Sequence, residues 1–187
     1  MEHPRIGVIL STIRPGRFAD TAARWFLDLA SRRTDLAFEV LDLRDYPLPF
    51  FGAADATGSS AVDRWQAKLN ELDGVVFITA EYQHSIPGVL KNALDYVGRE
   101  LYRKPVAFVG YGGVGAARAI QQLKLICLEL KAVPIPVAVH VGLEVLQAVK
   151  EKTKALSDFD FLNGRAATLL EELAWWAHTL KAARTTS

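Results

Sequence analysis

Residues 74–95 read GVVFITAEYQHSIPGVLKNALD, and they set the architecture that we predict for the chain. The stretch opens with an unbroken apolar run, 74–80, which is typical of a strand covered on both faces. A polar loop follows, and Pro87 then begins a helical pattern, since proline suits a first turn in which its missing N–H would have no partner. A buried strand that leads through a loop into a helix is the repeating unit of a parallel α/β sheet.

The same alternation extends outward in both directions. The predicted strands are Arg5–Leu10, Ala37–Leu41, Gly74–Ala80, Pro105–Gly110 and Pro136–Val141. Helical spacing of apolar residues lies between and after them, around 22–30 and 62–72, over Pro87–Val97 and Gly115–Leu130, and over about Asn163–Ala183. This order predicts an α/β chain with a three-layer flavodoxin-like fold, in which helices cover both faces of a five-stranded parallel sheet of order 2-1-3-4-5.

Two segments fit neither pattern. Leu43–Ser60 is rich in Pro, Gly and Asp and is predicted to be a long loop. Gly142–Asp160 is long and mixed in character, and we interpret it as a lid or as an arm that contacts a partner. No internal repeat or low-complexity tract interrupts the chain, so residues 1–187 are expected to form a single domain.

The composition argues against several functions. Half of the 187 residues are apolar and the net charge is +1, with no basic stripe of the kind that nucleic-acid binding requires. No apolar run is long enough for a membrane span, no signal peptide opens the chain, and the single cysteine, Cys127, forms no internal disulfide. We therefore expect a cytoplasmic protein. The four histidines show no metal-ligand spacing, so no metal site is expected.

Ligands of open α/β sheets bind beyond the carboxyl ends of the strands. The loop after the first predicted strand brings hydroxyls, arginines and a glycine to a helix N-terminus: Ser11, Thr12, Arg14, Gly16, Arg17 and then Phe18. Unpaired backbone N–H groups and the helix dipole favour an anion there, and arginine adds bidentate phosphate geometry, so the loop predicts a phosphate site. A capped turn with solvated arginines is the alternative. The spacing of a Walker loop is absent.

Two further loops lie at the same predicted edge. Residues 79–88 follow the most buried strand, and their backbone would hydrogen-bond a planar ring that Tyr82 flanks; a helix entry capped by Ser85 is the alternative. Residues 110–115 match G-x-G-x-x-G, which after a first strand indicates a dinucleotide site. Because the motif follows the fourth strand here, we interpret its glycines as allowing close backbone approach to a flat ligand, with Tyr111 stacking on it or lining the pocket.

These loops carry a resemblance to a known family. Residues 11–17 resemble the phosphate loop of the NAD(P)H-dependent FMN reductase family of flavodoxin-like proteins. Ala80–Asp95 is similar to that family's block Pro-Glu-Tyr-Asn-x-Ser-x-Pro-Gly-x-Leu-Lys-Asn-Ala-Leu-Asp, and residues 104–113 resemble its fourth strand and glycine loop. The resemblance covers roughly the first three quarters of the chain.

The resemblance implies that the protein binds FMN and passes hydride from NADPH or NADH through it to an oxidised acceptor, such as a flavin, a quinone, an azo compound or a metal oxyanion. It implies no catalytic side chain, because the flavin carries the chemistry. Members are commonly dimers or tetramers, so a homodimer or homotetramer is expected. The implied cofactor-binding residues are Ser11, Thr12, Arg14, Gly16, Arg17, Phe18, Ala80, Glu81, Tyr82, Gln83, Ser85, Tyr111, Gly112 and Gly113.

Within this set the resemblance implies distinct roles. Ser11, Arg14 and Arg17 would hold the FMN phosphate. Residues 81–83 would lie along the isoalloxazine edge, and residues 111–113 would support its other side.

Two alternatives stay open at this point. A flavodoxin-type electron carrier is one, although such carriers are usually strongly acidic and this chain has a net charge of +1. A non-catalytic flavin-fold protein that works by partner binding is the other, because Ala80 replaces the family's proline and Gln83 its asparagine. Leu10 also stands where many members have glycine.

Overall fold

Five strands form the centre of the structure, a computed structural model that describes residues 3–185. They are β1 (Arg5–Leu10), β2 (Ala37–Asp42), β3 (Gly74–Ala80), β4 (Pro105–Tyr111) and β5 (Val133–Val141). The sheet order is β2-β1-β3-β4-β5, and every pairing is parallel. The predicted flavodoxin-like order is therefore confirmed, and β1 and β3 lie where the order reverses, which is the usual place for a ligand.

Helices cover both faces of the sheet. They are α1 (Ala19–Ala30), α2 (Ser60–Glu71), α3 (Gly88–Asp95), α4 (Ala117–Glu129), α5 (Leu143–Lys150) and α6 (Asp160–Thr185). Alternate residues of β3 belong to different apolar cores, because Val76 and Ile78 pack on the side of α1 and α6, whereas Val75 and Phe77 pack on the side of α2, α3 and α4. The two cores hold the sheet between them and so fix the loops at its carboxyl edge.

The segment from 142 to 160 is more regular than the sequence indicates. It forms α5 and one 3-10 turn, Leu156–Asp158, and it leads into α6 at Asp160, a few residues before the predicted start. Val145 and Leu146 of α5 are buried in the core shared with α1 and α6. The apolar stripe of α5 spans only two turns, which is too short for periodicity to separate a helix from a loop.

β5 begins at Val133, three residues before the predicted start at Pro136. Pro134 and Pro136 argue against a strand in the sequence, because proline has no N–H for a ladder. β5 is an edge strand and its pairing with β4 shifts register beside the prolines, so both are accommodated. The predicted long loop 43–60 is confirmed, apart from two short 3-10 turns within it.

Candidate cofactor-binding cleft

The loops that follow β1, β3 and β4 meet α5 at the carboxyl edge of the sheet and enclose a cleft of about 220 Å³. Its lining residues are Arg14, Phe18, Ala80, Glu81, Tyr82, Tyr111, Gly112, Gly113, Leu143, Leu146 and Lys150. The first eight belong to the set predicted from the sequence, whereas the three from α5 do not. The predicted residues that do not line the cleft are Ser11, Thr12, Gly16, Arg17, Gln83 and Ser85.

The loop between β1 and α1 presents unpaired backbone donors. The N–H groups of residues 12–14 and 16–18 donate to no acceptor among residues 3–185, and Pro15 between them has no N–H. The same residues immediately precede the N-terminus of α1, where the helix dipole is positive. A chain segment with this many free donors is able to bind an anion, so the phosphate site stays a prediction that this geometry permits.

Two arginines give this loop its shape. Arg17 donates a hydrogen bond from Nη1 to the carbonyl of Thr12. Arg44 donates from Nε to the carbonyl of Ile13 at 3.2 Å and from Nη2 to that of Arg14 at 2.7 Å. Because the C=O and N–H of a trans peptide point in opposite directions, holding the Thr12 and Ile13 carbonyls turns the N–H groups of Ile13 and Arg14 toward the other side. The Arg14 carbonyl precedes Pro15, so its hydrogen bond fixes the chain direction without turning an N–H. We call Arg17 and Arg44 together the carbonyl clamp; Arg44 was not predicted from the sequence.

Arg17 itself has no donor left for a phosphate. Its Nε and Nη2 donate to Asp20 at 2.9 and 2.6 Å, its Nη1 donates to Asp42 at 2.7 Å and to the Thr12 carbonyl, and Nη2 also donates to Asp42. All five N–H donors of the guanidinium are thereby used. The side chain is buried, which lowers its pKa, but its hydrogen bonds with Asp42 and Asp20 raise the pKa above the ordinary value. Arg17 therefore orders the loop.

The hydroxyls predicted to help bind phosphate lie inside the protein. Ser11 is fully buried and its Oγ contacts the carbonyl of Ile9 at 3.5 Å. Thr12 Oγ1 lies 3.2 Å from the hydroxyl of Tyr111, so the first and third loops are joined by a hydrogen bond. Of the three residues predicted to hold the phosphate, only Arg14 has a side chain that lines the cleft. This side chain has no hydrogen bond or ion pair in the described part of the chain.

The second loop is a tight hairpin. Tyr82 and Ser85 exchange two backbone hydrogen bonds of 3.0 Å each, and the central residues Gln83 and His84 have φ of 49° and 65°. Two positive φ values define a type I′ turn, which asparagine and glycine favour. Tyr82 lines the cleft, whereas Gln83 does not. Ser85 donates from Oγ to Gln122 Oε1 at 2.5 Å and does not cap α3, so the predicted capping alternative is wrong.

Glu81 faces two ways. Its Cβ and backbone lie beside Gly112 at the cleft, while its carboxylate accepts from the backbone N–H of Arg118 at 3.0 Å, from that of Ala119 at 3.4 Å and from Arg118 Nε at 2.5 Å. Burial raises the pKa of Glu81, but these hydrogen bonds outweigh it and hold the pKa below its usual value. The carboxylate caps the N-terminus of α4 and is unavailable as an acid or base at the cleft.

The glycines of the third loop serve two purposes. Gly112 has a φ of 150° and lines the cleft, so its conformation needs glycine. A Cβ at Gly115 would lie 2.7 Å from the Cβ of His140, so this glycine allows α4 to approach β5. The prediction of close approach to a flat ligand therefore applies to Gly112 and its neighbour Gly113, while Gly115 is a packing residue.

Two aromatic rings form an inner wall of the cleft. Tyr111 and Phe18 pack with ring centroids 5.2 Å apart, and both are buried. Burial raises the pKa of Tyr111 to about 12, so its hydroxyl is neutral at pH 7 and bonds Thr12. The ring of Tyr111 thus lines the pocket, which is one of the two placements that the sequence allows.

The wall of the cleft that α5 forms was not predicted from the sequence. Leu143, Leu146 and Lys150 stand at positions i, i+3 and i+7 of α5, and this spacing places them on one face of a helix. The signal that could have found them is their position directly after the end of β5, at the same edge as the other loops. Lys150 has no ion pair or hydrogen bond from its side chain within residues 3–185.

The chemistry of the cleft fits a planar cofactor that bears a phosphate. Free N–H donors and Arg14 stand at the phosphate loop, and glycine backbone and aromatic rings frame the remaining space. The one carboxylate of the lining, that of Glu81, is paired with Arg118. In residues 3–185, no group of His, Cys, Asp or Glu is arranged to hold a metal ion, and no helix is long and apolar enough to cross a membrane.

The fold and the cleft together define a flavodoxin-like flavoprotein. The model of the family described as NADPH-dependent FMN reductase matches residues 4–145. The chain therefore belongs to the NADPH-dependent FMN reductase family, and it is an oxidoreductase that uses FMN and NAD(P)H.

Similar proteins agree with this assignment. An NAD(P)H-dependent FMN reductase of Schizosaccharomyces pombe is 31% identical over 183 residues, with 90% of this chain and 91% of that protein covered. A quinone reductase of Pseudomonas putida is 30% identical over 144 residues, with 71% and 75% covered. Among solved structures, the flavoenzyme NAD(P)H:(acceptor) oxidoreductase FerB from Paracoccus denitrificans superposes with a TM-score of 0.69 at 24% identity, covering 94% and 98% of the two chains. That last likeness concerns the fold.

Proposed function

We propose that this protein passes hydride from NADPH or NADH through bound FMN to a small oxidised acceptor, such as a quinone, a free flavin, an azo compound or a metal oxyanion. The observation that carries the proposal is the cleft, in which a loop of free N–H donors stands beside a space lined by backbone and aromatic rings. The cytoplasm is the proposed compartment, because the lone Cys127 is a buried thiol without a disulfide partner.

Each part of the cleft has a role in this proposal. When bound, FMN supplies the hydride chemistry. The N–H groups of residues 12–14 and 16–18 and the Arg14 guanidinium bind the phosphate. The backbone at Glu81 and at Gly112–Gly113 supports the ring system, and Tyr82 flanks its open side.

No side chain of the lining acts as a proton donor in the proposal. Glu81 is held as a carboxylate by Arg118 and the end of α4. The Tyr111 hydroxyl, with its pKa raised to about 12 by burial, stays in its hydrogen bond with Thr12. The residues therefore bind and orient the reactants and exclude water, and they leave the electron transfer to the cofactor.

The experiment is anaerobic reduction of the reconstituted protein. Cofactor-free protein is loaded with FMN, and the loss of flavin absorbance is followed after NADPH or NADH is added. Bleaching by at least one nucleotide, reversed by a quinone or another acceptor, supports the proposal. Failure of both nucleotides to reduce the bound flavin would sink it, and a stable one-electron state during photoreduction would favour an electron carrier.

Arg14→Ala tests the phosphate loop, and Arg32→Ala is its control. Both arginines are exposed, but Arg32 follows α1 at the opposite end from the cleft. Loss of one charge-assisted hydrogen bond should weaken FMN binding by about tenfold or more in the Arg14 variant. Quenching of flavin fluorescence measures the affinity, and equal affinity in the two variants contradicts the proposed site.

A homodimer or homotetramer is the proposed assembly. Leu125 and Leu128 are 68% and 57% exposed on the outer face of α4, and a paired apolar face between two copies would remove them from water. α4 also contacts the Tyr82–Ser85 hairpin through Gln122, so such an interface would lie near the cleft. Light scattering after size exclusion should show more than one copy, and Leu125→Glu with Leu128→Glu should reduce it to one.

A further inference from the structure

We propose that Lys150 of α5 supplies the second positive charge that binds a phosphomonoester in the cleft. The family resemblance implies that role for Arg17 beside Arg14, but the donors of Arg17 are engaged by Asp20 and Asp42. The inference rests on the proposed function only in requiring that the cleft takes a phosphate-bearing ligand, either the flavin or the nicotinamide nucleotide.

The charged side chains around the phosphate loop largely neutralise one another. Arg17 contacts the carboxylates of Asp20 and Asp42, and Arg44 lies 3.8 Å from Asp20. Two arginines and two aspartates thus form one cluster without net charge. Of the arginines around this loop, Arg14 alone has a side chain that lines the cleft and lacks an ion pair in the described residues.

Among the described residues, Lys150 is a second unpaired cation in the lining of the cleft. Lys150 lines the same 220 Å³ cleft as Arg14, and its side chain has no ion pair or hydrogen bond in the described range. The lining contains one carboxylate, Glu81, which Arg118 neutralises. A phosphomonoester carries close to two negative charges at neutral pH, so one arginine leaves part of that charge unmatched. Lys150 matches the remainder.

The position of α5 holds Lys150 at the cleft. Leu146 and Val145 anchor the helix in the core, so its last residue, Lys150, projects from a fixed support. The match to the family model ends at residue 145, so it does not include Lys150.

Two ligands bring the same chemistry to this place. FMN carries a terminal phosphomonoester that riboflavin lacks, and NADPH carries a 2′-phosphate that NADH lacks. Each pair of compounds differs by one phosphate, so the affinity ratio within a pair isolates the contribution of that group. A lysine that serves the phosphate changes this ratio, whereas a lysine that only supports the fold changes both members equally.

The experiment compares Lys150→Gln with Lys152→Gln. Both changes remove one exposed lysine charge from neighbouring turns, but Lys152 does not line the cleft. Cofactor-free protein is titrated with FMN and with riboflavin by fluorescence quenching, and the loaded enzyme is assayed for the KM of NADPH and of NADH. We expect Lys150→Gln to weaken one phosphorylated ligand by about tenfold, with its unphosphorylated partner unchanged. Lys150→Arg should restore most of the loss.

The arm that responds identifies the phosphate. A selective loss for FMN assigns Lys150 to the cofactor, and a selective rise in the KM of NADPH assigns it to the nucleotide. Equal effects within both pairs, or an effect as large in Lys152→Gln, overturn the inference. Failure of the wild-type protein to be reduced would instead end the proposed function, because the FMN and riboflavin titrations need no turnover.

Discussion

At the scale of single residues, Arg17 and Arg44 show how charged side chains can order a candidate binding loop through hydrogen bonds within the protein. Arg17 has every donor engaged by Thr12, Asp20 and Asp42, and Arg44 holds the two carbonyls that follow Thr12. Basic residues beside a predicted phosphate loop are easily interpreted as ligands. The acidic partners of Arg17 are Asp20, in the first turn of α1, and Asp42, at the end of β2. Asp42 is distant from Arg17 in the sequence, so the sequence alone does not reveal this ion pair.

The carbonyl clamp leads to a prediction for Arg44→Gln. The variant loses its hydrogen bonds to the Ile13 and Arg14 carbonyls, so the loop should lose its fixed orientation and bind FMN about three- to tenfold more weakly. Arg44 is partly exposed, so the melting temperature should change little. Fluorescence titration and a thermal melt check both expectations. Arg64→Gln is the control, because Arg64 also donates to a carbonyl, that of Asp45, away from the loop.

The type I′ turn leads to a second prediction. Gln83 has a φ of 49°, a conformation that asparagine adopts more readily than glutamine. We expect Gln83→Asn to raise the free energy of unfolding by about 0.5–1 kcal/mol, measured by urea denaturation. Gln121→Asn is the matched control, since Gln121 lies exposed in α4, where asparagine is the poorer helix former and should destabilise slightly. Destabilisation by both changes would contradict our account of the turn.

At the scale of elements, the strands were predicted best where burial was complete. β1 and β3 have the predicted limits. Both are buried at the centre of the sheet, and a strand covered on both faces has the unbroken apolar run that the sequence shows. β5 was predicted too short because Pro134 and Pro136 break the strand pattern, although an edge strand tolerates them. α5 was missed because its apolar stripe is short, and the wall that it gives to the cleft was missed with it.

The open edge of β5 is protected by Pro136 and by side chains from two neighbouring helices. Pro136 has no N–H to offer, and its carbonyl accepts a hydrogen bond from Lys124 Nζ at 3.1 Å. Arg165 of α6 donates to the carbonyl of Ala138 at 3.1 Å. Exposed edge groups of a sheet are templates for pairing with another chain, and here side chains cover them.

Asp73, which precedes β3, connects that strand to β1 and to α6, and it makes the stability of the fold depend on pH. Its carboxylate, at the start of β3, accepts from the backbone N–H of Arg5 at 3.0 Å and from Lys181 and Arg184 of α6 at 2.8 Å each. Burial raises the pKa of Asp73, but these donors outweigh it and lower the pKa below the ordinary value. The carboxylate therefore stabilises the fold above the pKa of an unfolded aspartate and loses this effect as the pH falls below about 4.

Asp73→Asn tests this link between α6 and the sheet. We expect the variant to lose about 1–3 kcal/mol of unfolding free energy at pH 7, with a difference from wild type that shrinks below about pH 4. Chemical denaturation at a series of pH values measures both. Asp28→Asn is the control, because Asp28 is exposed on α1 and its carboxylate has no ion pair in the described residues. A difference that stays constant with pH would contradict the assigned role of the charge.

At the scale of the whole molecule, the two cores on either side of the sheet fix the cleft from both directions. Tyr111 and Leu146 belong to one core, and Ala116 at the start of α4 belongs to the other. The ion pair of Glu81 with Arg118 connects the cleft to α4. A ligand that fills the cleft therefore contacts groups anchored in both cores, and its binding should stabilise the molecule as a unit.

Stabilisation by FMN is the prediction at this scale. A ligand present at one hundred times its dissociation constant adds about 2.7 kcal/mol to the free energy of unfolding. For a chain of this size that corresponds to a rise of about 5–10 °C in the melting temperature. Differential scanning fluorimetry with FMN, and with riboflavin at the same concentration, measures the effect. A smaller rise with riboflavin is expected, and equal rises would contradict a phosphate-binding cleft.

The carbonyl clamp also has a consequence for the rate at which the cofactor binds. A loop whose shape is imposed by Arg17 and Arg44 needs little rearrangement when a ligand arrives. Uptake of the cofactor should then be governed by diffusional encounter. Rapid mixing should show a single exponential whose rate grows linearly with flavin concentration, without the plateau that a slow loop-ordering event imposes.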